Sequence, residues 1–390
     1  IISFGKVRAG WAAIRNDTNP YQLYNVYSAQ DPIGDNPAFS VPNTLNNSEL
    51  KPELTEEFEV GLEMRMFQNR LGFDFTYYDK TSTDLILPLT VSGTSGVTSA
   101  WVNAGKMTNK GLELALYGTP VKTDDFSWDV NVNWARNVNK VHELAPGINN
   151  YLINSWGPSV NAKVGEAYGS IVTDGFLYHE NGERIVEIDG SGNYTYARET
   201  NKVVGNVSPD FTGGVNNSFK YKNLSLSFLV DFQKGGSIYS VSNRYGDYSG
   251  LTARTAGLND KGNPIRDAVA DGGGVKVSGV DASGNAISGY TDATGYFKSL
   301  RTRRENYVYD ASYVKLREVT IGYNLPQDII TKTPFESIKL SLVGRNLWLI
   351  SSNAPNIDPE ATLGSGNTQG FENGQIPSTR SLGFNLNVKF

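Results

Sequence analysis

The chain has 390 residues, 39% hydrophobic and 19% charged, with a formal net charge of -5 and no cysteine. The acidic balance argues against a nucleic-acid partner, whose phosphate contacts call for a basic surplus, and the lack of Cys excludes disulfides and thiolate metal sites. No run approaches the roughly 20 consecutive apolar residues of a membrane helix, so any membrane crossing must use strands, whose alternation hides in averages such as hydropathy.

From Gly5 to Ile14, Lys6 and Arg8 stand against Val7, Ala9 and Trp11. After a long connection from Arg15 to Glu53, Phe58, Val60, Leu62, Met64 and Met66 alternate with Glu57, Glu59, Gly61, Glu63 and Arg65. A turn at Gln68-Asn69 leads into Leu71, Phe73, Phe75 and Tyr77, which alternate with Gly72, Asp74 and Thr76. That pattern predicts a hairpin with one apolar face. Beyond a second long connection, Thr81 to Val102, Leu112, Leu114 and Leu116 pass through a short turn at Val121 to Asp125 into Trp128, Val130, Val132 and Trp134. Two tryptophans ending one apolar stripe suit the interfacial girdles of a membrane barrel.

The third long connection, Asn139 to Ser208, contains both histidines, His142 and His179. Phe211, Val215 and Phe219 then turn at Lys220 to Asn223 into Leu224, Leu226, Phe228, Val230 and Phe232. A fourth long connection, Gly235 to Tyr309, precedes strands predicted over Ala311 to Leu325 and Ser337 to Leu349. The second of these loosens after Gly344, where a bulge or the membrane boundary is expected. After a fifth, Ser351 to Pro377, the chain closes with Leu382, Phe384, Leu386, Val388 and Phe390 facing away from Ser381, Gly383, Asn385, Asn387 and Lys389.

Strict alternation over about ten strands, with short and long connections taking turns, predicts an all-β antiparallel transmembrane barrel. Its short turns would be periplasmic and its five long loops extracellular. A soluble sandwich also alternates, but it shows no such rule for its loops. The chain begins at Ile1 without an initiator Met or a leader, and is read as the C-terminal part of a longer protein.

Several blocks carry a family resemblance: Leu50-Lys51-Pro52-Glu53, Asn103 to Leu114, Ser208-Pro209-Asp210-Phe211-Thr212-Gly213-Gly214, Asp231-Phe232-Gln233-Lys234-Gly235-Gly236, Tyr313 to Tyr323 and Val343-Gly344-Arg345-Asn346-Leu347. In this order they resemble the late barrel of the SusC/RagA-like TonB-dependent transporters of Bacteroidetes outer membranes. The resemblance implies a barrel of about 22 strands, of which residues 1–390 would be the C-terminal part, with the plug and N-terminal region outside this chain. It further implies import of a glycan or peptide handed over by a SusD-like surface lipoprotein. The energy would come from TonB-ExbB-ExbD acting through the missing N-terminal parts.

Aromatic residues crowd the expected outer loops, and Trp101, Tyr151, Trp156, Tyr178, Tyr245 and Tyr248 are the candidate substrate contacts, since flat rings with polar tips stack on sugars or peptide side chains. Tyr196, Tyr290 and Tyr307 belong to the same crowd, in which packing of the loops is the competing role. Leu386, Val388 and Phe390 resemble the C-terminal signal read by the barrel-assembly machinery. Glu57, Glu59, Glu63, Asp74, Glu113, Asp129 and Asp231 are expected to line a polar wall that meets a plug and water.

Asp189-Gly190-Ser191-Gly192-Asn193 and Asp281-Ala282-Ser283-Gly284-Asn285 have the oxygen-rich look of calcium loops but lack the full ligand spacing, so they are read as hairpin turns, with calcium in an outer loop as the alternative. Arg301, Arg303 and Arg304 form a basic cluster, either solvated or facing lipopolysaccharide phosphates, and outer-membrane lipid is the other expected contact. No arrangement of residues calls for catalysis or a cofactor. The competing function is a self-contained ten-strand outer-membrane barrel acting as a surface protease or adhesin.

Overall fold

A computed structural model of the chain describes residues 1–364 and 366–390. They divide into two units. The first comprises Ile1–Lys122, Trp128–Tyr151 and Ala162–Tyr168. It carries β1 (Ile2–Asn16), β2 (Glu53–Met66), β3 (Leu71–Thr83), β4 (Lys106–Lys122) and nearly all of β5 (Phe126–Glu143). β1, β2, β3 and β4 pair antiparallel in chain order, and their register sets Val7, Leu62, Phe75 and Leu114 in one row on the apolar face. Lys6, Glu63 and Asp74 form a row on the opposite face.

The second unit, Thr123–Ser127, Leu152–Asn161 and Gly169–Phe390, carries β6 (Pro209–Tyr221), β7 (Leu224–Gly235), β8 (Tyr313–Asn324), β9 (Ser337–Ser352) and β10 (Ser381–Lys389). Here Phe219, Leu226, Ile321, Leu342 and Phe384 form a continuous row across five strands. Leu342 is 65% exposed and Phe384 83%. An apolar row left this open is unusual on a water-soluble surface and fits contact with lipid.

Each predicted strand is present, several of them longer than their periodic stretch. β4 and β5 run past the stretches Leu112 to Leu116 and Trp128 to Trp134. The backbone ladder continues there while both faces become polar, so the alternation that announces a strand disappears although the strand does not. His142 therefore lies in β5, not in the third long loop where the sequence pattern had placed it. The irregularity expected after Gly344 is real. The β8–β9 register shifts between Leu316 and Glu318, Asn346 opposite this shift has φ of 51°, and pairing with β10 ends at Arg345.

A single layer of sheet has two open faces and no dry interior. The buried core of the second unit lies instead in its long connections, where Phe176, Tyr239, Val277, Leu300, Tyr307 and Phe371 pack together. Val241 joins them from α1 (Val241–Tyr248), whose N-terminus is capped by the Ser240 side chain, and Leu300 ends α2 (Ala293–Leu300), capped by Asp292. Two hairpins, Val186–Ile188 with Tyr194–Tyr196 and Val275–Val280 with Ala286–Thr291, complete this loop body. The sequence pattern predicted loops here with hairpin turns at Asp189 and Asp281, but gave no sign of which distant segments would pack together.

Candidate functional site: polar walls and outer loops

On the polar face of the first unit, Arg8 reaches across β2 to Asp74 on β3, with Nη2 2.6 Å and Nη1 3.1 Å from the carboxylate oxygens. Its path lies over Gly61, where any Cβ would overlap the guanidinium, so the glycine is a clearance for the arginine. Arg8 also bonds Thr76 and Glu59, Lys80 pairs with Glu57 at 3.0 Å, and Thr119 donates to Asp129. The carboxylates expected to line a polar wall do so here, largely neutralised by cations of the same wall.

The second unit holds a denser network. Tyr313, Lys315 and Arg317 alternate along β8 and so share a face at period 2. Arg317 grips Asp231 of β7 with Nε at 2.9 Å and Nη2 at 2.6 Å, and also bonds Glu360 of the fifth long loop. Tyr313 donates to Glu360 at 2.9 Å. The ammonium of Lys315, whose side chain is only 5% exposed, binds both Glu360 and, at 2.6 Å, Asp358. Asp358 in turn accepts from the backbone and hydroxyl of Ser378, which closes the loop on itself. Burial works against ionisation of Asp358, but the hydrogen bonds from Lys315 and Ser378 outweigh it and hold its carboxyl down to about 2.

Further along the same loop, Phe371 packs edge-on against Tyr239. The buried Glu372 carboxylate accepts from the hydroxyls of Ser240 and Ser242, both at 2.6 Å. The fifth loop is thus fastened at one point to the wall and at another to the loop body. Two cavities lie beside it within this unit. One of about 450 Å³ is lined by Gln233, Tyr313, Glu360 and Gln369, and one of about 500 Å³ by Lys315, Trp348, Asp358 and Arg380.

The predicted aromatic contacts scatter. Trp101 and Tyr151 belong to the first unit, and Trp156, Tyr178, Tyr245 and Tyr248 to the second. Tyr245 and Tyr248 share α1 and are partly exposed, with the guanidinium of Arg244 5.2 Å from the first ring and that of Arg301 4.9 Å from the second. Lys202 stands 4.2 Å over the Tyr178 ring, and Trp156 is half exposed. Tyr196 and Tyr307, from the same aromatic crowd, are core residues. Sequence reasoning missed Tyr21, Tyr24 and Tyr27, all exposed at a spacing of three, and Trp348. It also missed Lys315, although three polar residues at period 2 between apolar neighbours mark it.

The turns at Asp189 and Asp281 are hairpin turns of one design. Each carboxylate accepts the backbone N–H groups two and four residues on, and Gly192 and Gly284 supply the positive φ. The backbone N–H groups of Asn193 and Asn285 are the main reason these two carboxyls sit below their ordinary range. Among the described residues no group of three or more His, Cys, Asp or Glu is placed to hold a metal. The two histidines bond locally, His142 Nε2 with the Thr108 hydroxyl and His179 Nδ1 with the Asn181 backbone.

The arginine cluster does not present one face to phosphate. Arg303 donates inward to the Tyr196 carbonyl, with Nε at 2.7 Å, and Arg304 turns to Asp174 at 3.5 Å, which leaves Arg301 beside Tyr248. Guanidinium groups adjacent in sequence are separated here by what the loop core needs.

The family model described as "TonB dependent receptor-like, beta-barrel" matches residues 5–347. The TonB-dependent receptor P3 of Formosa agariphila is 30% identical over 424 residues, covering all of this chain and 40% of that protein. The TonB-dependent receptor SusC of Bacteroides thetaiotaomicron is 24% identical, covering 93% of this chain and 36% of that one. Among solved structures, that of the RagAB peptide transporter superposes with a TM-score of 0.73 at 18% identity, over all of this chain and 41% of its own. The chain spans about two fifths of the length of these relatives.

Proposed function

This chain belongs to the TonB-dependent receptor β-barrel family of the outer membrane, and on that premise we propose that it is the C-terminal barrel portion of an active importer for a large nutrient, an oligosaccharide or a peptide. The observation that carries the proposal is the inversion of polarity in both units. Apolar rows lie open on one face, ion-paired side chains line the other, and the long loops of the second unit pack into a folded body. A wall of this kind binds and guides a solute. The named relatives are receptors and a transporter, which favours import over the surface protease or adhesin.

In this reading a SusD-like surface lipoprotein delivers the substrate to the loops, and TonB-ExbB-ExbD act through parts of the protein outside this chain. Trp101, Tyr151, Trp156, Tyr178, Tyr245 and Tyr248 are the proposed ring contacts, and the apolar rows meet outer-membrane lipid. The test is purification of the full-length protein from outer membranes, with co-purifying proteins identified, together with uptake of oligosaccharides and peptides by a deletion strain. A bound lipoprotein and the loss of uptake of one solute class are expected. A protein without a partner and unchanged uptake would sink the proposal.

We assign to Leu386, Val388 and Phe390 the role of an assembly signal. Leu386 and Val388 pair with Leu340 and Ile338 of β9, and the Phe390 ring, 83% exposed, meets Phe335 edge-on at 5.2 Å. Deleting Phe390 leaves the β9–β10 ladder intact, so it is expected to reduce the amount of inserted barrel without lowering the melting temperature of what is inserted. Wild-type levels in the membrane fraction would contradict the role.

A further inference from the structure

On the apolar face of the first unit, every strand changes character toward the end that joins a long connection. β1 passes from Trp11 to Arg15, β2 from Phe58 to Glu56, β3 from Tyr77 to Asp79, β4 from Leu112 to Lys110 and β5 from Trp134 to Arg136. The register brings these changes to one level. Trp11, Phe58, Asp79 and Lys110 form one row, and Ala13, Glu56, Thr81 and Thr108 form the next. β5 joins this level through His142, whose Nε2 lies 2.8 Å from the Thr108 hydroxyl. The residues between turn to the opposite face, where Asn139 accepts the backbone N–H of Tyr168 and Val141 is buried. Long connections leave an outer-membrane barrel on its external side, so this level stands at the outer leaflet.

Charge at this level is sorted by strand. Glu56 and Asp79 stand on β2 and β3, whereas Lys106, Lys110, Arg136 and Lys140 stand on β4 and β5. Lys110 is paired with Asp79 at 2.7 Å, and among the described residues the other three bases have no carboxylate partner. The outward base that follows Phe232 in the second unit, Lys234, is by contrast paired with Asp310. Same-face neighbours along a strand are about 7 Å apart and adjacent strands about 5 Å. Lys106 and Lys140, two residues from Thr108 and His142 respectively, therefore flank that contact from two strands. Whichever of Thr108 and His142 donates to the other, one N–H or O–H of the pair is left for a further acceptor.

Unpaired cations directly above an apolar face that meets lipid tails lie at the height of the headgroups, where phosphate is the complementary group. We propose that Lys106, Arg136 and Lys140, with the Thr108–His142 pair between the two lysines, bind a phosphate of lipopolysaccharide on its lipid A portion. The continuity of this cluster with the apolar rows selects a lipid over a soluble anion, since the same molecule covers both. The site is separate from the arginines at 301, 303 and 304, which diverge. It rests on the outer-membrane assignment and not on which solute is carried.

The experiment offers bisphosphorylated and dephosphorylated lipid A to the full-length protein, purified in detergent, and counts bound lipid by native mass spectrometry. Only the bisphosphorylated form is expected to stay bound, with an affinity lowered about tenfold or more in the double variant Lys106→Gln/Lys140→Gln. Lys222→Gln makes the same change in charge at the short turn between β6 and β7 and should leave binding as it was. Equal binding of the two lipids overturns the proposal, because apolar contact alone would then hold them. Displacement by inorganic phosphate overturns it too, since the site would then serve a free anion. If the double variant fails to insert, acetylation of the wild-type protein decides. Lys106 and Lys140 should be shielded by the bisphosphorylated lipid and not by the dephosphorylated one, and equal reactivity in both contradicts the site.

Discussion

Replacement of Lys315 by Met should release the fifth long loop from the wall of the second unit. The side chain is 5% exposed and answers two carboxylates, those of Asp358, itself 8% exposed, and Glu360. Breaking such a buried pair leaves charge with no partner in a place water reaches poorly, at a cost of about 3–5 kcal/mol. The exposed pair Lys110–Asp79, although only 2.7 Å long, should be worth less than about 1 kcal/mol when Lys110 is removed. Hydrogen exchange of the full-length protein distinguishes the two cases. In Lys315→Met, protection is expected to fall across residues 353–380, while the β6–β9 ladders stay protected. Unchanged exchange in 353–380 would show that the ion network does not hold the loop.

The same anchor has a definite pH window. The Asp358 carboxyl is held at about 2, below its ordinary value near 3.9, so its contribution is complete above about pH 4 and is lost as the pH falls through about 2. That contribution is about 2–3 kcal/mol. Glu360 is displaced in the same direction, against the effect of its own burial, by the hydrogen bonds of Arg317 and Lys315. The fifth loop should therefore show the same protection, relative to intrinsic exchange, at pH 5 and pH 8 and loosen only in strong acid.

Gly279→Ala is expected to break the loop body. A Cβ at this position would collide with the backbone carbonyl of Arg184, which cannot rotate aside as a side chain could. That same carbonyl accepts the backbone N–H of Val280 at 3.1 Å, and Val277 and Val280 on either side are buried. Relief requires moving one hairpin off the other, a loss of about 3 kcal/mol or more. Gly190→Ala is the control, since nothing lies within 4 Å of its Cβ and its backbone is not left-handed. It should change stability by less than about 1 kcal/mol. Limited proteolysis of the loops reads the contrast, and equal resistance of the two variants would refute it.

The arginines at 301, 303 and 304 show how far sequence adjacency misleads in a folded loop. As a string they suggest one basic face. Backbone turning sends Arg303 to the Tyr196 carbonyl and Arg304 toward Asp174, each more than a hundred residues away in the chain. Asp189 and Asp281 are the opposite case. Their partners lie two and four residues on, so the turn chemistry was readable without a structure.

What the sequence by itself determined is the set of strands that face two solvents. Each residue of such a strand is chosen by the medium on its own side, and period 2 writes that choice into neighbouring positions, from Val7 in β1 to Leu386 in β10. Even the bulge near Asn346 left its mark in the broken alternation. What only the tertiary structure decided is the loop body and its fastening. Phe176, Tyr239 and Phe371 come from three different long connections, and Lys315 finds Asp358 and Glu360 some forty residues on. Short strands and single turns carry too little periodicity to announce their partners, because the burial that stabilises them exists only once distant segments have met.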